Sequence, residues 1–247
     1  MSQKWVMLAG DWHGNEHWAR ISCEAALRND CRRILQLGDF GLWPGREDAW
    51  LDHVDQCARR AGAHLVWLDG NHENHDALDE WRPFADERGL VRMRESVTWA
   101  TRGARWEWGG LRFGALGGAV SLDRFLRREG HNWWPGEEIT RSDVERLGDG
   151  PLDVLATHTP PTAPTPRLRP LPFPRAILDD DRRARSFIDE AIRRTAPTLV
   201  VHGHLHVRYT SERAGWSVEG LARDKSSESE SLALLELDST LQVGLPG

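Results

Sequence analysis

The first third of the chain alternates short apolar runs with stretches in which apolar residues recur at helical spacing. An apolar run that ends at a glycine is typical of a buried strand, and a spacing of three to four is typical of an amphipathic helix. Strands and helices that alternate in this way form βαβ units around a parallel sheet. The pattern predicts the strand Trp5–Ala9, the helix His17–Asn29, the strand Arg33–Leu37, the helix Glu47–Ala61 and the strand His64–Leu68.

The rest of the chain carries a different pattern. Runs rich in Val, Trp and Phe lie between Val91 and Ala119, and Gly109-Gly110 separates two of them, which is typical of a hairpin. We therefore expect antiparallel strands to follow the parallel ones. Beyond this region the pattern predicts the helix Glu137–Leu147, the strand Asp153–Thr157, the helix Asp179–Thr195, the strand Thr198–His202 with Val207–Thr210 continuing outward from it, the mobile polar loop Ser226–Ser231, and a closing hairpin of Leu232–Leu237 and Leu241–Val243.

Length and composition favour a single domain over residues 1–247, because a typical domain has about 150 residues. No apolar run approaches the ~18 residues that a membrane helix requires, and the first residues lack the features of a signal peptide. The three cysteines form no CxxC pair, which fits a reducing compartment. We therefore expect a cytoplasmic protein without a membrane partner.

The net charge of −6 gives no overall basic field of the kind that attracts nucleic acid. A nucleic-acid partner is therefore not indicated, although a local basic surface is left open. The oligomeric state is left open as well.

Polar side chains of metal-binding types follow the predicted strands. In open α/β sheets ligands bind at the carboxyl ends of the strands, so we expect these side chains to converge on one crevice. Oxygen and imidazole ligands together suit Mn, Fe, Zn or Co better than Mg or Ca. Two ions ~3.5–4 Å apart can share such a set through a bridging carboxylate, and they clamp a phosphoryl group for attack by a bridging water. The residues are Asp11 and His13 after the first strand, Asp39 after the second, Asn71 and His72 after the third, His158 after Asp153–Thr157, and His204 and His206 after Thr198–His202.

The spacing of these residues suggests a local geometry. Asp11 and His13 stand two residues apart, so both side chains point the same way if the segment is extended. His204 and His206 repeat this spacing. Glycines next to the polar residues allow sharp turns and a close approach of backbone to a buried charge. They are Gly10, Gly38, Gly70 and Gly203.

Five blocks carry these side chains in a fixed order: GDWHG, GDF, GNHE, THTPP and GHLH. Together they resemble the calcineurin-like metallophosphoesterase superfamily, whose pattern is D-x-H, G-D, G-N-H-[DE], H and G-H-x-H. The run Gly117-Gly118-Ala119, followed by Ser121 and Asp123-Arg124, is similar to a feature of small bacterial and phage members. The resemblance implies an α/β fold, a four-layer αββα sandwich of two mixed β-sheets flanked by helices.

The resemblance also implies a role for each polar residue. Two divalent metal ions are expected as cofactors, with Mn²⁺ favoured and Fe, Zn, Co or Ni as alternatives. His72 is the implied catalytic residue, which protonates the leaving oxygen or stabilises its developing charge. The implied ligands are Asp11, His13 and His206 for the first ion, Asn71, His158 and His204 for the second, and Asp39 as the bridge.

The residues after Asp39 bear on the substrate. Protein phosphatases of the superfamily usually show G-D-x-V-D-R-G, whereas Phe40-Gly41-Leu42-Trp43-Pro44 stands here and the arginine that grips a phosphomonoester is missing from that place. This favours a phosphodiesterase that hydrolyses a small phosphate ester or nucleotide through a metal-bridging hydroxide. A phosphomonoesterase acting on a small phosphorylated molecule or a protein is one alternative. A non-catalytic metal-binding scaffold of the same fold is another, and the complete ligand set argues against it.

Four further residues are candidates for substrate binding: Asn15, Arg124, Arg127 and Trp133. Asn15 has two interpretations, as a donor to phosphate or as the cap of the following helix. The arginines and Trp133 suit a phosphate with a base or sugar attached. Their alternative is a solvated arginine face packed on local aromatic side chains.

The segment Thr159–Pro174 holds seven of the 13 prolines and is expected to be an irregular loop. It begins directly after His158, and long irregular loops in compact domains are usually functional or mobile. We expect this loop and the segment Arg124–Trp134 to border the mouth of the site and to set substrate choice.

Two acidic positions have competing interpretations. Asp69 either orients a ligand imidazole or is a capping or surface residue. The pair Glu137-Glu138 looks like two catalytic carboxylates, but the preference of a helix N-terminus for negative charge explains it better.

Overall fold

Two β-sheets lie face to face in the structure, which is a computed structural model that describes residues 4–166, 172–213, 215–237 and 241–247. The strands are β1 (Trp5–Ala9), β2 (Arg33–Gln36), β3 (His64–Trp67), β4 (Leu90–Arg92), β5 (Val97–Ala100), β6 (Arg105–Trp108), β7 (Leu111–Leu116), β8 (Val154–Thr157), β9 (Leu199–His202), β10 (Tyr209–Arg213), β11 (Trp216–Gly220), β12 (Leu232–Glu236) and β13 (Val243–Gly244). The helices are α1 (Glu16–Arg28), α2 (Glu47–Arg60), α3 (His75–Trp81), α4 (Arg141–Leu147), α5 (Arg175–Thr195) and α6 (Glu228–Ser231).

Both sheets are mixed. The first has seven strands in the order β13-β12-β1-β2-β3-β5-β4, and β1, β2, β3 and β5 run parallel. The second has six strands in the order β10-β11-β9-β8-β7-β6, and β7, β8, β9 and β11 run parallel. As the sequence pattern predicted, antiparallel pairs follow the first parallel strands, at β4-β5 and β6-β7, and parallel pairs then recur in the second sheet. The antiparallel strands lie toward the edges of both sheets.

Three apolar layers hold these elements together. One lies between the sheets, and the other two lie under the helices that cover each outer face. The order helix, sheet, sheet, helix confirms the predicted αββα sandwich. Representative buried residues are Trp18 and Trp50 on the inner faces of α1 and α2, Leu35 and Phe113 between the sheets, and Val144 and Ile188 on the inner faces of α4 and α5.

Most predicted elements are confirmed within a few residues, including the hairpin at Gly109-Gly110. Helix α5 begins earlier than predicted, directly after Pro174, a residue that the start of a helix tolerates. Glu137 lies outside α4, in a short turn that precedes it. In the loop predicted at Ser226–Ser231, a capping box between Ser227 and Glu230 instead starts the short helix α6.

The chain after β9 also differs from the prediction. Val207–Thr210 does not extend β9 outward, because its last residues belong to β10, which pairs with β11. Strand β11 was not predicted, and it lies between β10 and β9. Among the described residues, no helix is both long and apolar enough to cross a membrane.

The proline-rich segment is irregular where it is described. Residues 161–166 and 172–174 form no helix or strand, as predicted. Residues 167–171 lie outside the described residues.

Candidate metal centre

The candidate ligands lie at the carboxyl ends of strands from both sheets. Asp11 follows β1, Asp39 follows β2 and Asn71 follows β3, and these three strands are neighbours in the first sheet. His158 follows β8 and His204 follows β9, which are neighbours in the second sheet. The candidate site therefore straddles the edge where the two sheets meet.

The carboxylate of Asp39 lies at the centre of this cluster and is almost completely buried. Its Oδ2 is 3.3 Å from His13 Nε2, and its Oδ1 is 3.3 Å from His158 Nε2. The backbone N–H of His72 donates to Oδ1 over 2.9 Å. Burial alone would raise the pKa of Asp39, yet the charges of His158 and His72 hold it well below its ordinary value.

One group of ligand atoms gathers on the Oδ2 side. Asp11, His13, Asp39 and His206 each offer an atom, and these atoms lie within 4.8 Å of one another. His206 Nε2 is 3.0 Å from Asp11 Oδ2. This group matches the residues that the family resemblance implied for the first ion and the bridge.

The remaining candidates gather on the Oδ1 side. His158 Nε2 lies 3.3 Å from Asn71 Oδ1, and the rings of His158 and His204 meet edge to face with centroids 5.0 Å apart. The backbone N–H of His204 donates to Asp11 Oδ1 over 3.1 Å, which links the two groups. All seven predicted ligands therefore lie in one cluster with Asp39 between its halves.

The backbone is strained at this cluster. Four candidate ligands have left-handed φ angles: His13 (47°), Asp39 (51°), His204 (65°) and His206 (56°). A non-glycine residue held in this region costs of order 1–3 kcal/mol, and such residues concentrate at functional sites. The assumption of extended segments was therefore wrong, and His204 and His206 diverge onto opposite halves of the cluster.

Close packing around the carboxylates explains two of the glycines. A Cβ added to Gly203 would lie 2.1 Å from Asp11 Oδ1, and a Cβ added to Gly70 would lie 2.2 Å from Asp39 Oδ1. Neither position has room for a side chain, so the predicted close approach of backbone to charge is present at both.

Two carboxylates outside the predicted ligands hold the loops in place. Glu73 is buried and accepts hydrogen bonds from the backbone N–H groups of Phe40, Gly41 and Leu42, directly after Asp39. Asp224 accepts from Asn15 Nδ2 over 2.8 Å, and its Oδ1 lies 3.0 Å from His13 Nδ1. A carboxylate on the second nitrogen of a ligand histidine fixes the ring and its tautomer.

A buried relay holds Asn71. Its Nδ2 donates to Ser121 Oγ over 3.0 Å, and that hydroxyl donates to Glu137 Oε2 over 2.8 Å. Glu137 Oε1 accepts from the Ser121 backbone N–H over 2.6 Å. The relay fixes the Asn71 amide with its oxygen toward His158, so interpreting Glu137 as a helix N-terminal charge was wrong.

His72 lies beside the cluster, with its Nε2 4.0 Å from Asp39 Oδ2. Arg127 Nη1 is 2.7 Å from His72 Nδ1, and Nη2 is 3.2 Å from His72 Nε2. Asp123 holds the guanidinium through two contacts of 2.8 and 2.9 Å. Burial lowers the pKa of His72, and the charge of Arg127 lowers it further while Asp39 opposes the shift.

Comparison with known proteins decides the family. The family model for calcineurin-like phosphoesterase matches residues 4–208. The chain belongs to this family. A search of curated protein sequences gives no significant match.

Solved structures show the same fold at low sequence identity. The protein TT1561 of Thermus thermophilus matches with a TM-score of 0.62 and 14% identity, and the alignment covers 100% of both chains. A dimetal phosphatase from Danio rerio matches with a TM-score of 0.58 and 13% identity over 97% of this chain and 94% of the other. GAP50, described as the anchor in the inner membrane complex of Plasmodium, matches with a TM-score of 0.54 and 10% identity over 94% and 81%. Identities at this level show the fold alone.

The donors of this centre suit a divalent transition metal, because carboxylate and amide oxygens combine with imidazole nitrogens. Although burial opposes it, the hydrogen bond to Asp39 raises the pKa of His13 to about 9, and the charge of Asp39 raises the pKa of His158 to about 10. The centre therefore attracts positive charge strongly. The donor set and the raised pKa values both fit a site that binds cations.

The predicted substrate residues separate in the structure. Arg127 contacts His72, but Arg124 forms ion pairs with Glu138 and Asp180. Trp133 lies under the Arg124 guanidinium, 5.9 Å from it, so this pair fits the alternative of an arginine packed on an aromatic ring.

Asn15 caps α1, since its Oδ1 accepts from the Trp18 N–H, and its amide donates to Asp224. Asp69 neither orients a ligand imidazole nor caps a helix. It forms a buried ion pair with Arg102 at 2.7 Å.

Asp224 was not predicted, Glu73 and Ser121 were given no role in the sequence analysis, and Glu137 was misinterpreted. Glu73 carried a local signal, because it completes the GNHE block. Asp224 carried none, since 211 residues separate it from His13.

Proposed function

We propose that this chain hydrolyses phosphate esters with two divalent metal ions, Mn²⁺ being the first expectation. Asp11, His13 and His206 would hold one ion, Asp39 would bridge, and the second ion would be held by Asn71, His158 and His204. Bound ions of this kind supply positive charge to the phosphoryl oxygens and activate water. The observation that carries the proposal is the buried Asp39 carboxylate, which has one oxygen toward each half of the cluster.

His72 and Arg127 would act on the ester itself. His72 would place a ring N–H against the leaving oxygen, where a donor stabilises developing charge or transfers a proton. A neutral imidazole has only one acceptor nitrogen, so only one of its two contacts with Arg127 is a hydrogen bond. A phosphoryl oxygen is a stronger acceptor for the guanidinium, so we expect Arg127 to move its bond from His72 to the substrate.

We propose phosphodiesters as the preferred substrates, since no arginine follows Asp39 at the place where protein phosphatases carry one. Phosphomonoester hydrolysis is the second candidate, and Arg127 is the observation that favours it. Arg127 places a guanidinium beside His72, although it comes from a different segment from the arginine that protein phosphatases carry after Asp39.

Two substrates distinguish these candidates. The protein is loaded with Mn²⁺ and assayed on bis-p-nitrophenyl phosphate and on p-nitrophenyl phosphate. A higher kcat/KM for the diester supports the first candidate, and a higher value for the monoester supports the second. If both metal ions are bound and neither substrate is hydrolysed, the result would favour the non-catalytic metal-binding scaffold over both candidates.

The contribution of Arg127 is measured with Arg127→Ala. Loss of a fork that grips phosphate raises KM, and we expect a rise of about tenfold or more, since a hydrogen bond to a charged group contributes ~1.5–3 kcal/mol. Arg128→Ala, at the exposed neighbouring position, is the matched control and should leave KM unchanged. Equal effects of both substitutions would refute this role.

A further inference from the structure

A cavity of about 300 Å³ has His72 in its wall. Trp43, Pro44 and Trp134 supply apolar surface, and Arg127 supplies a charge. Small-molecule sites have volumes of ~300–1,000 Å³ and combine apolar walls with a few polar groups. The volume of this cavity lies at the lower end of that range, so the cavity suits one ring system rather than an extended chain.

Trp43 forms a fixed and partly exposed wall. Its Nε1 donates to the His72 carbonyl oxygen over 3.1 Å, which ties the indole to the loop after β3. The other end of the ring lies against the loop after β1, where a Cβ on Gly14 would be 3.4 Å away. The side chain is nevertheless 38% exposed, so an apolar ring is held open to solvent beside the candidate centre.

Trp134 forms a second wall in the same way. Its Nε1 donates to Asp76 Oδ2 over 2.9 Å, and the ring is almost buried. Because both indole N–H groups bond elsewhere, the two rings offer the cavity only aromatic and apolar surface. Arg127 lines the cavity where the proposed function places the phosphate, and the other polar groups of the cavity are His131 and Asn132, which can bond the edge of a bound ring.

We propose that this cavity binds the leaving group of the ester, and that the leaving group carries a planar ring with a polar edge, as a nucleoside does. The inference rests on the proposed function, because His72 acts on the leaving oxygen and lines the cavity. Stacking of a base on an aromatic side chain strengthens binding by roughly 5- to 150-fold. The Trp43 face is positioned for such stacking.

A binding experiment without metal or turnover tests the cavity directly. Adenosine and ribose are titrated into the metal-free protein while tryptophan fluorescence or heat is followed. We expect adenosine to bind more tightly than ribose, and Trp43→Ala to weaken adenosine binding about tenfold. Phe84→Ala removes an aromatic ring that is 73% exposed and does not line the cavity, and it should leave binding unchanged. Equal binding of adenosine and ribose, or equal effects of the two substitutions, would overturn the proposal.

A kinetic experiment separates this proposal from the proposed function. AMP is compared with ribose 5-phosphate, and the symmetric diester of each, from which only adenosine or only ribose can leave, is compared likewise, with Mn²⁺ present. We expect higher kcat/KM for the esters that carry the base, and a loss in Trp43→Ala that is about tenfold larger for these esters than for those without it. Turnover at equal kcat/KM with and without the base overturns the leaving-group cavity and leaves the function standing. Turnover of no ester overturns the function, and the adenosine titration still decides whether the cavity binds a ring.

Discussion

Asp39 is the residue at which the two halves of the candidate centre meet. Its two oxygens face different imidazoles at the same distance of 3.3 Å, and its φ of 51° is left-handed. His72 approaches Asp39 through its backbone N–H, and its ring nitrogen stays 4.0 Å away. This geometry fits a division in which Asp39 binds metal and His72 acts on the substrate.

We predict that His72→Ala lowers kcat by ~10²–10⁴ and leaves the metal content near that of the parent, because general acid–base groups contribute about that much. Asp39→Ala should lose both activity and metal. Metal content is measured by elemental analysis after gel filtration, with His17→Ala on the exposed face of α1 as the control. Equal depletion of metal in the His72 and Asp39 variants would contradict the division.

Glu137 provides a prediction of pH dependence. Burial raises its pKa to about 8, although its bonds to Ser121 oppose the rise. Between about pH 5 and pH 8 the folded protein retains a proton that the unfolded chain has lost, so the free energy of unfolding falls as the pH rises. The slope from this group is at most about 1.4 kcal/mol per pH unit.

Glu137→Gln removes this contribution, so we expect its stability relative to the parent to improve steadily from pH 5 to pH 8. Urea unfolding of the metal-free proteins at several pH values measures the difference. The control is Glu129→Gln, at an exposed position eight residues before Glu137. Its free energy of unfolding should differ from that of the parent by the same amount at every pH. Parallel curves for Glu137→Gln and the parent would refute the prediction.

At the scale of elements, the segment between β11 and β12 combines a structural and a positioning role. Helix α6 starts at a capping box in which Ser227 accepts from and donates to the first turn. Three residues earlier, Asp224 holds His13 and Asn15, and its backbone N–H donates to the Asp11 carbonyl over 2.7 Å. This short segment therefore starts helix α6 and also holds the candidate ligand His13 in position.

We predict that substitutions at the two positions have separate effects. Ser227→Ala should lower the free energy of unfolding by about 1 kcal/mol, the usual loss for a helix cap, and leave metal affinity unchanged. Asp224→Asn should weaken metal binding by ~10–100-fold, as loss of a partner that orients a ligand histidine does. Urea unfolding and metal titration by calorimetry measure the two effects. Similar losses of both properties in both variants would contradict the separation.

At the scale of the whole molecule, the candidate centre joins the two sheets at one edge. Asp11, Asp39 and Asn71 come from the first sheet, while His158, His204 and His206 come from loops of the second. Cations bound there would hold the sheets together at this edge in addition to the apolar layer between them. A ligand that binds only the folded state raises its stability.

We predict that removal of metal lowers the melting temperature by roughly 5–10 °C. At a free metal concentration of 100 times Kd the stabilisation is ~2.7 kcal/mol, and 1 kcal/mol shifts the midpoint of a protein of this size by ~2–4 °C. Calorimetry with Mn²⁺ and with a chelator measures the shift. The shift in melting temperature should be retained in His72→Ala and lost in Asp39→Ala. A full shift in Asp39→Ala would contradict the prediction.

The sequence by itself determined the alternation of strands and helices, the order of the ligand blocks and their position after strands, because hydrophobic periodicity and short motifs are local properties. The layered αββα arrangement was implied by the family resemblance that those motifs carry. The single domain over residues 1–247, the cytoplasmic location and the ligand roles stay predictions. Only the tertiary structure decided which polar groups face one another. Asp224, Glu137 and Arg127 reach His13, Asn71 and His72 from distant segments, whereas Arg124 and Asn15 bond elsewhere. The physical reason is that a polar side chain takes the partner that packing places within hydrogen-bond distance, and spacing along the chain does not encode that choice.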